Sequence, residues 1–433
     1  MVENPCGKYN STYSDNGTIG SFQAYIAALY VSSMSGRATI QFMTYTSMRW
    51  FLLVALVFFT LAAHTILPLT YPTLPEASPL PNLSAFHKNI YISRTIERLS
   101  PEQKIGQLMF ISVPEKTDAI LLQSILSSVN PGGMLLFRYN IENKTQTQDL
   151  TSTAQQITQN LGLPALFIAV DEEGGIVERI RFDPVAYAAP YLGNADSETL
   201  TTETASKTAE TLKDLGITVN FAPVADVAYS HNSSMNLRSF GSSPELVAQH
   251  TAWSVQTYQD HHILSTVKHF PGHGRSSIDS HHDLPVIDIS KEEWLTSDAL
   301  PFVVAIDAGV PFIMSGHIQF PHIDEQVASR SQVWLEDILR DELGFAHIIL
   351  SDDIKMDAIN TSLPQTAIDA LSAGNDMIIA AVTVESMMTI QDALLTYYAN
   401  PEHHESLTKK LKTILSVKYD YILLNSQDSL TDR

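Results

Sequence analysis

From residue 105 onward, short apolar runs alternate with longer amphipathic stretches. Runs rich in Ile, Val, Leu and Phe fall at 107–112, 133–137, 166–170, 218–222, 264–268, 312–315, 348–351 and 376–380. Their length and branched content predict strands. Between them, 197–215, 243–261 and 331–343 carry apolar positions at helical spacing and are long enough for crossover helices. Strands alternating with helices imply an α/β fold with a parallel sheet covered on both faces. Eight such units over roughly 300 residues predict a single (β/α)8 TIM-type barrel, the alternative being an open doubly wound sheet, which more often has about five or six strands.

The residues just beyond each run sharpen this expectation. Asp171, Glu172 and Glu173 come after the third run, Pro223 to Asp226 after the fourth, His269 after the fifth, Gly316 and His317 after the sixth, and Asp352 and Asp353 after the seventh. Ionisable residues thus gather at the carboxyl ends of the strands, where barrels of this kind carry their active sites.

Ahead of the barrel, residues 50–63 are apolar apart from Thr60, follow Arg49, and continue past His64 to Leu69. The run reads as an export signal or N-terminal anchor. Residues 1–47 are polar and without period, and Met48-Arg49 makes a better start for such a signal, which points to a misassigned start codon. Pro68, Pro72, Pro75, Pro79 and Pro81 then favour an extended tether. The expected organisation is an extension at 1–47, a signal or anchor at 48–69, a Pro-rich linker at 70–84 and a catalytic barrel at 85–425. An exported or membrane-anchored protein is expected, and a cytoplasmic one if the hydrophobic run is not used.

The formal charge of -21 disfavours a nucleic-acid partner or an anionic membrane surface, and does not affect a neutral sugar. Cys6 is the only cysteine, which excludes an intramolecular disulfide and a thiolate metal cluster.

The densest chemistry lies at 268–285, a stretch too rich in Gly and Pro for regular structure, with four histidines, two aspartates and a lysine. Asp279 and His281 stand two apart, so in extended chain they point to one side, where a carboxylate can fix the imidazole tautomer for proton transfer. His269, His273, His281, His282, Asp279 and Asp283 are also possible metal ligands, but no pair has helical metalloprotease spacing, and no metal or other cofactor is expected. Asp352 and Asp353 close an apolar run. One acid there can cap the next helix while the other faces the barrel mouth as a nucleophile or electrostatic stabiliser. Asp171, Glu172 and Glu173 precede Gly174 and Gly175, which permit a tight turn. Asp226 follows a strand and reads equally well as structural.

Lys268-His269-Phe270-Pro271-Gly272-His273-Gly274, with Asp279-Ser280-His281 and Leu284-Pro285, resembles the signature of glycoside hydrolase family 3 of the bacterial β-N-acetylglucosaminidase type. Gly132-Gly133, Asp171 to Arg179, Asn220 to Asp226, Arg238 to Gly241 and Ser351 to Met356 agree with it in order. The resemblance implies a TIM-type barrel and retaining hydrolysis through a covalent glycosyl-enzyme. It implies Asp352 as nucleophile, His281 as acid/base and Asp279 as its orienting partner. Asp171, Arg179, Arg238, Lys268 and His269 match positions implied to bind the hydroxyls of the non-reducing-end sugar. Ile176 and Arg275 depart from the residues frequent at their positions. About fifty residues follow the last predicted strand, and their pattern suggests a closing helix, as in the compact members that release N-acetylglucosamine during peptidoglycan turnover.

The resulting expectation is a β-N-acetylhexosaminidase acting on muropeptide or chitin-type oligosaccharides. A β-glucosidase or phosphorolytic enzyme is the nearest alternative, and an inactive membrane-tethered sugar-binding protein a more distant one.

Overall fold

The computed structural model describes residues 83–183, 186–278, 280, 283–356 and 361–431. The expected extension, hydrophobic segment and most of the linker, and the Asp279 and His281 pair, lie outside these residues.

All eight predicted runs contain strands. They are β1 (Met109–Ser112), β2 (Gly133–Leu136), β3 (Phe167–Val170), β4 (Val219–Asn220), β5 (Leu264–Phe270), β6 (Phe312–Ser315), β9 (Ile348–Asp353) and β10 (Met377–Ala380). Each pairs in parallel with the next, and β10 returns to β1, so the sheet is closed. This is the expected (β/α)8 barrel. The sequence pattern did not anticipate a small antiparallel pair outside the barrel, β7 (Gln319–Phe320) with β8 (Asp324–Val327), on the excursion between β6 and β9. Its runs are too short and too polar to show a strand period.

The crossover helices start where the chain supplies caps. Ser197 accepts a hydrogen bond from Leu200 N–H at the head of Glu198–Asp214, and Ser243 does the same for Leu246 at Pro244–Asp260, where Pro244 also presets the first turn. After β10 the single closing helix expected from the pattern is two helices, Val384–Tyr398 and His404–Thr431. Pro401 interrupts them, because a helix interior cannot accommodate its ring or replace its missing N–H. Among the described residues no helix is long and apolar enough to cross a membrane.

Inside the barrel, Phe110, Phe167, Phe221 and Phe312 form one buried aromatic group, with Phe167 and Phe312 edge-on at 5.3 Å between centroids. Gly133 makes room for it: a Cβ there would lie 2.2 Å from the Phe110 ring. A second apolar cluster, containing Trp294, Trp334, Phe270 and Phe302, packs outside β5 and β6. Trp294 Nε1 donates to Pro271 O at 2.8 Å, tying a helix to the end of β5.

The C-terminal helix sends Lys418 into the barrel, where its Nζ donates to Gln107 Oε1 and Gly132 O, both at 2.9 Å, and sits 4.8 Å from the Phe167 ring centre. Burial pushes this ammonium down to about 7. Between that value and the unfolded one of about 10.4 the unfolded chain binds more protons, so stability should rise with pH across the interval. The Lys418→Met variant should lack this contribution. Its melting temperature, compared with wild type from about pH 7 to 10, should rise less. Parallel curves would remove the account.

Candidate functional site

Two irregularities of the barrel deliver the central side chains. Along β9 and β10, Ile378 pairs with Ser351 but Ile379 pairs with Asp353, leaving Asp352 as an extra residue. Along β5 and β6, Lys268 pairs with Met314 but Phe270 pairs with Ser315, leaving His269 unpaired. A bulge changes the direction of the residue it carries. Asp352 and His269 both line a cavity of about 230 Å³ at the barrel mouth, together with Asp171, Glu173, Arg179, Arg238, Lys268 and Asp353. Phe137, Val177, Phe221, Met314, Met356 and Ile379 supply its apolar part.

One wall is a connected ionic network. Lys268 Nζ lies 2.9 Å from Asp171 Oδ1 and 2.6 Å from Glu173 Oε1. Glu173 also takes two hydrogen bonds from Arg238, at 2.8 and 2.7 Å, the forked geometry that suits a guanidinium and a carboxylate. Burial alone would raise the Glu173 carboxyl, but Lys268 and Arg238 hold it well below the usual range. Lys268 is raised despite its burial, through Asp171 and Glu173. Arg179 Nη2 is 3.5 Å from Asp171 Oδ2, and its buried Nε has no partner among the described residues.

The loop that brings Arg179 back depends on Gly174 and Gly175, at φ +81° and +64°, where a side chain would also meet Ala186 and Ala188. Buried Glu172 secures this turn by accepting the N–H groups of Arg179 at 2.8 Å and Ile180 at 3.1 Å. Its carboxyl is pushed up to about 7 by burial, so its position fits a structural part.

Asp352 and Asp353 differ in electrostatics. Burial would raise Asp352, but His269, His317, the N–H of Asp353 and Lys268 hold it below the usual aspartate value. Asp353 N–H donates to Asp352 Oδ1 at 2.8 Å. Asp353 is pushed up to about 6, chiefly by burial, with the Asp352 charge adding to it. It also accepts from the N–H groups of Lys355 and Ala381. The two acids therefore divide the tasks, one ionised toward the cavity and one bonded to the backbone. Behind them, fully buried His317 places Nε2 3.0 Å from Asp353 O and Nδ1 2.7 Å from Ser329 Oγ.

Of the sequence-predicted site residues, the fold thus brings Asp171, Arg179, Arg238, Lys268, His269 and Asp352 to one cavity. Asp279 and His281 lie outside the described residues. Their loop is flanked by fixed points: Arg275 bonds Asp298 at 2.8 Å and lies over the Tyr229 ring at 4.1 Å. His273 Nδ1 lies 3.0 Å from Ser234 Oγ. Sequence reasoning did not select Glu173, Asp226 or His317. Each stood in a strand-end cluster it had noted, but their partners are distant in the chain.

The model of the glycosyl hydrolase family 3 N-terminal domain matches residues 100–417. The chain belongs to glycoside hydrolase family 3. Among its relatives, the β-hexosaminidase A of Pseudoalteromonas piscicida is 31% identical over 69% of this chain and 54% of its own length. The β-hexosaminidase of Bordetella avium is 35% identical over 57% of this chain and 73% of its own. The match thus spans little more than half of the longer relative. A family 3 β-N-acetylglucosaminidase structure from Paenibacillus superposes with a TM-score of 0.72 at 31% identity, covering 75% of this chain and 63% of the other. A β-N-acetylhexosaminidase from Beutenbergia cavernae gives 0.67 at 26% identity, covering 74% of this chain and 98% of that one.

Proposed function

We propose that the protein is a retaining β-N-acetylhexosaminidase that releases β-linked N-acetylglucosamine from the non-reducing end of peptidoglycan or chitin-type fragments. The observation that carries this reading is an ionised aspartate, Asp352, on a bulge beside a wall of forked and ammonium donors. The relatives named as β-hexosaminidases support the sugar assignment.

In the first step the Asp352 carboxylate attacks the anomeric carbon, the bond to the leaving oxygen breaks, and His281 gives that oxygen a proton. In the second, His281 removes a proton from water, the water oxygen bonds to the anomeric carbon, and Asp352 is released. Asp279 orients His281 and stabilises its protonated form. Asp171, Arg179, Arg238, Lys268 and His269 hold the sugar hydroxyls, for which charged and forked donors are well suited. Hydrolysis of an aryl β-N-acetylglucosaminide, measured against the aryl β-glucoside with and without phosphate, tests the assignment. Preference for the glucoside, or a strict need for phosphate, would replace it.

The His281→Ala variant should lose about 10²- to 10⁴-fold in turnover with a poor leaving group and much less with a nitrophenyl one, which needs little protonation. Equal losses on both would remove His281 from the acid role. Glu173→Gln should lower kcat/KM about a hundredfold by loosening Arg238 and Lys268 together, since small misplacements are costly at such sites. Wild-type kcat/KM in that variant would detach Glu173 from sugar binding. The hydrophobic run at 50–63 supports an exported or anchored enzyme, and recovery of a native peptide from residues 1–40 would count against the start at Met48.

A further inference from the structure

Asp226 has no exposed surface and lies just beyond β4, beside the end of β5, where Ala225 N–H donates to Lys268 O at 2.7 Å. Its Oδ2 is 2.7 Å from His269 Nδ1. Its Oδ1 accepts the N–H of His273 at 2.6 Å, and both oxygens lie 3.3 Å from the N–H of His269. Its own carbonyl accepts Ser239 Oγ–H at 2.6 Å, next to Arg238. The carboxylate of this one buried residue therefore ties the strand end carrying Lys268 and His269 to the first turn of the loop that leads to His281, and its backbone carbonyl holds the neighbour of Arg238.

A carboxylate has no proton to give, so the short contact to Nδ1 requires the ring to donate there. That leaves Nε2 as the nitrogen turned to the cavity wall, 3.4 Å from Arg238 Nη2. From this geometry we infer that Asp226 is a positioning residue for glycoside hydrolysis, acting through His269 by keeping a proton on Nδ1 and presenting Nε2 to the sugar. The inference rests on the function proposed above. Burial works against the Asp226 charge, yet His269 and His273 hold its carboxyl below the usual value, in keeping with a permanent acceptor.

Asp226→Asn tests the idea because it keeps the volume and changes one polarity. The backbone N–H groups of His269 and His273 can only donate, so they retain the amide oxygen. The amide nitrogen is then left facing Nδ1, which must give up its proton or its bond. We expect kcat/KM on an aryl β-N-acetylglucosaminide to fall about tenfold to a hundredfold with folding preserved by circular dichroism, in the range typical for loss of a group that orients another. On a His269→Gln background the same change should alter kcat/KM less than about twofold, because neighbours acting through one group are not additive. Multiplicative losses, or wild-type kcat/KM in Asp226→Asn, would overturn the inference. If Asp226→Asn does not fold, the wild-type ring decides. Nitrogen-15 spectra, with His269 identified by its loss in His269→Gln, should show a proton on Nδ1 at neutral pH, and its absence would overturn the inference. A wild-type protein that cleaves no aryl glycoside would defeat the functional reading instead, and the ring measurement would still stand.

Discussion

Replacing Asp352 by alanine is expected to lower turnover of an aryl β-N-acetylglucosaminide by roughly 10⁴-fold or more, the scale on which loss of a central catalytic group acts. The expectation comes from position and charge together. The register shift between Ile378 and Ile379 gives Asp352 no partner residue on β10, and nearby basic groups keep it ionised. The adjacent Asp353 is poorly placed to take over, because its carboxylate is already bonded to the N–H groups of Lys355 and Ala381. The fold should survive the change, since among the described residues the Asp352 carboxylate accepts one hydrogen bond, from the N–H of Asp353. A correctly folded Asp352→Ala protein with near-normal turnover would end the assignment of this residue.

Lys268→Met should be nearly as severe for a different reason. The ammonium is 2% exposed and lies within 3 Å of two carboxylates, 2.9 Å from Asp171 and 2.6 Å from Glu173. Removing it leaves those acids close together in a poorly solvated wall, and breaking a buried pair from one side typically costs about 3–5 kcal/mol. Denaturant unfolding should show a loss of that order, and kcat/KM should drop with it. Glu173, no longer held down by Lys268, should take up a proton more readily. Lowering the pH should therefore narrow the stability gap between variant and wild type, because protonation relieves the repulsion. A gap that widens on acidification would show that the repulsion between these acids is not its source.

The barrel was legible because its strands are buried on both faces and most of them read as apolar runs. Leu166 to Val170, for example, is apolar throughout and is fully buried in the structure. The acids and histidines after the runs were legible for the same reason, since they interrupt a pattern that is otherwise uniform. The bulges at Asp352 and His269 were not. A register slip of one residue depends on the neighbouring strand and leaves no mark on the strand that bears it. Asp226 illustrates a second limit. An acid after a strand can be a cap, a surface charge or an anchor, and only its proximity to His269, 43 positions away, separates these readings. The hairpin after Ser315 and the break at Pro401 show a third. Short polar strands have no period to detect, and a proline marks where a helix cannot continue without saying whether another begins.

The bonds from Lys418 to Gln107 and Gly132 bear on the order in which the molecule can be completed. They join positions 311 and 286 residues apart in the chain. Lys88 and Asp420, 332 residues apart, join the first and last described helices in the same way. Contacts of such separation require closure of a very long loop and tend to slow folding. During synthesis the first two strands emerge long before their partner on the last helix. Until that helix arrives, the Gln107 side-chain oxygen lacks the donor that Lys418 supplies, and the Phe167 ring lacks its cover. A fragment ending before His404 would carry every described strand and cavity residue, yet it should be poorly soluble because its barrel floor is open.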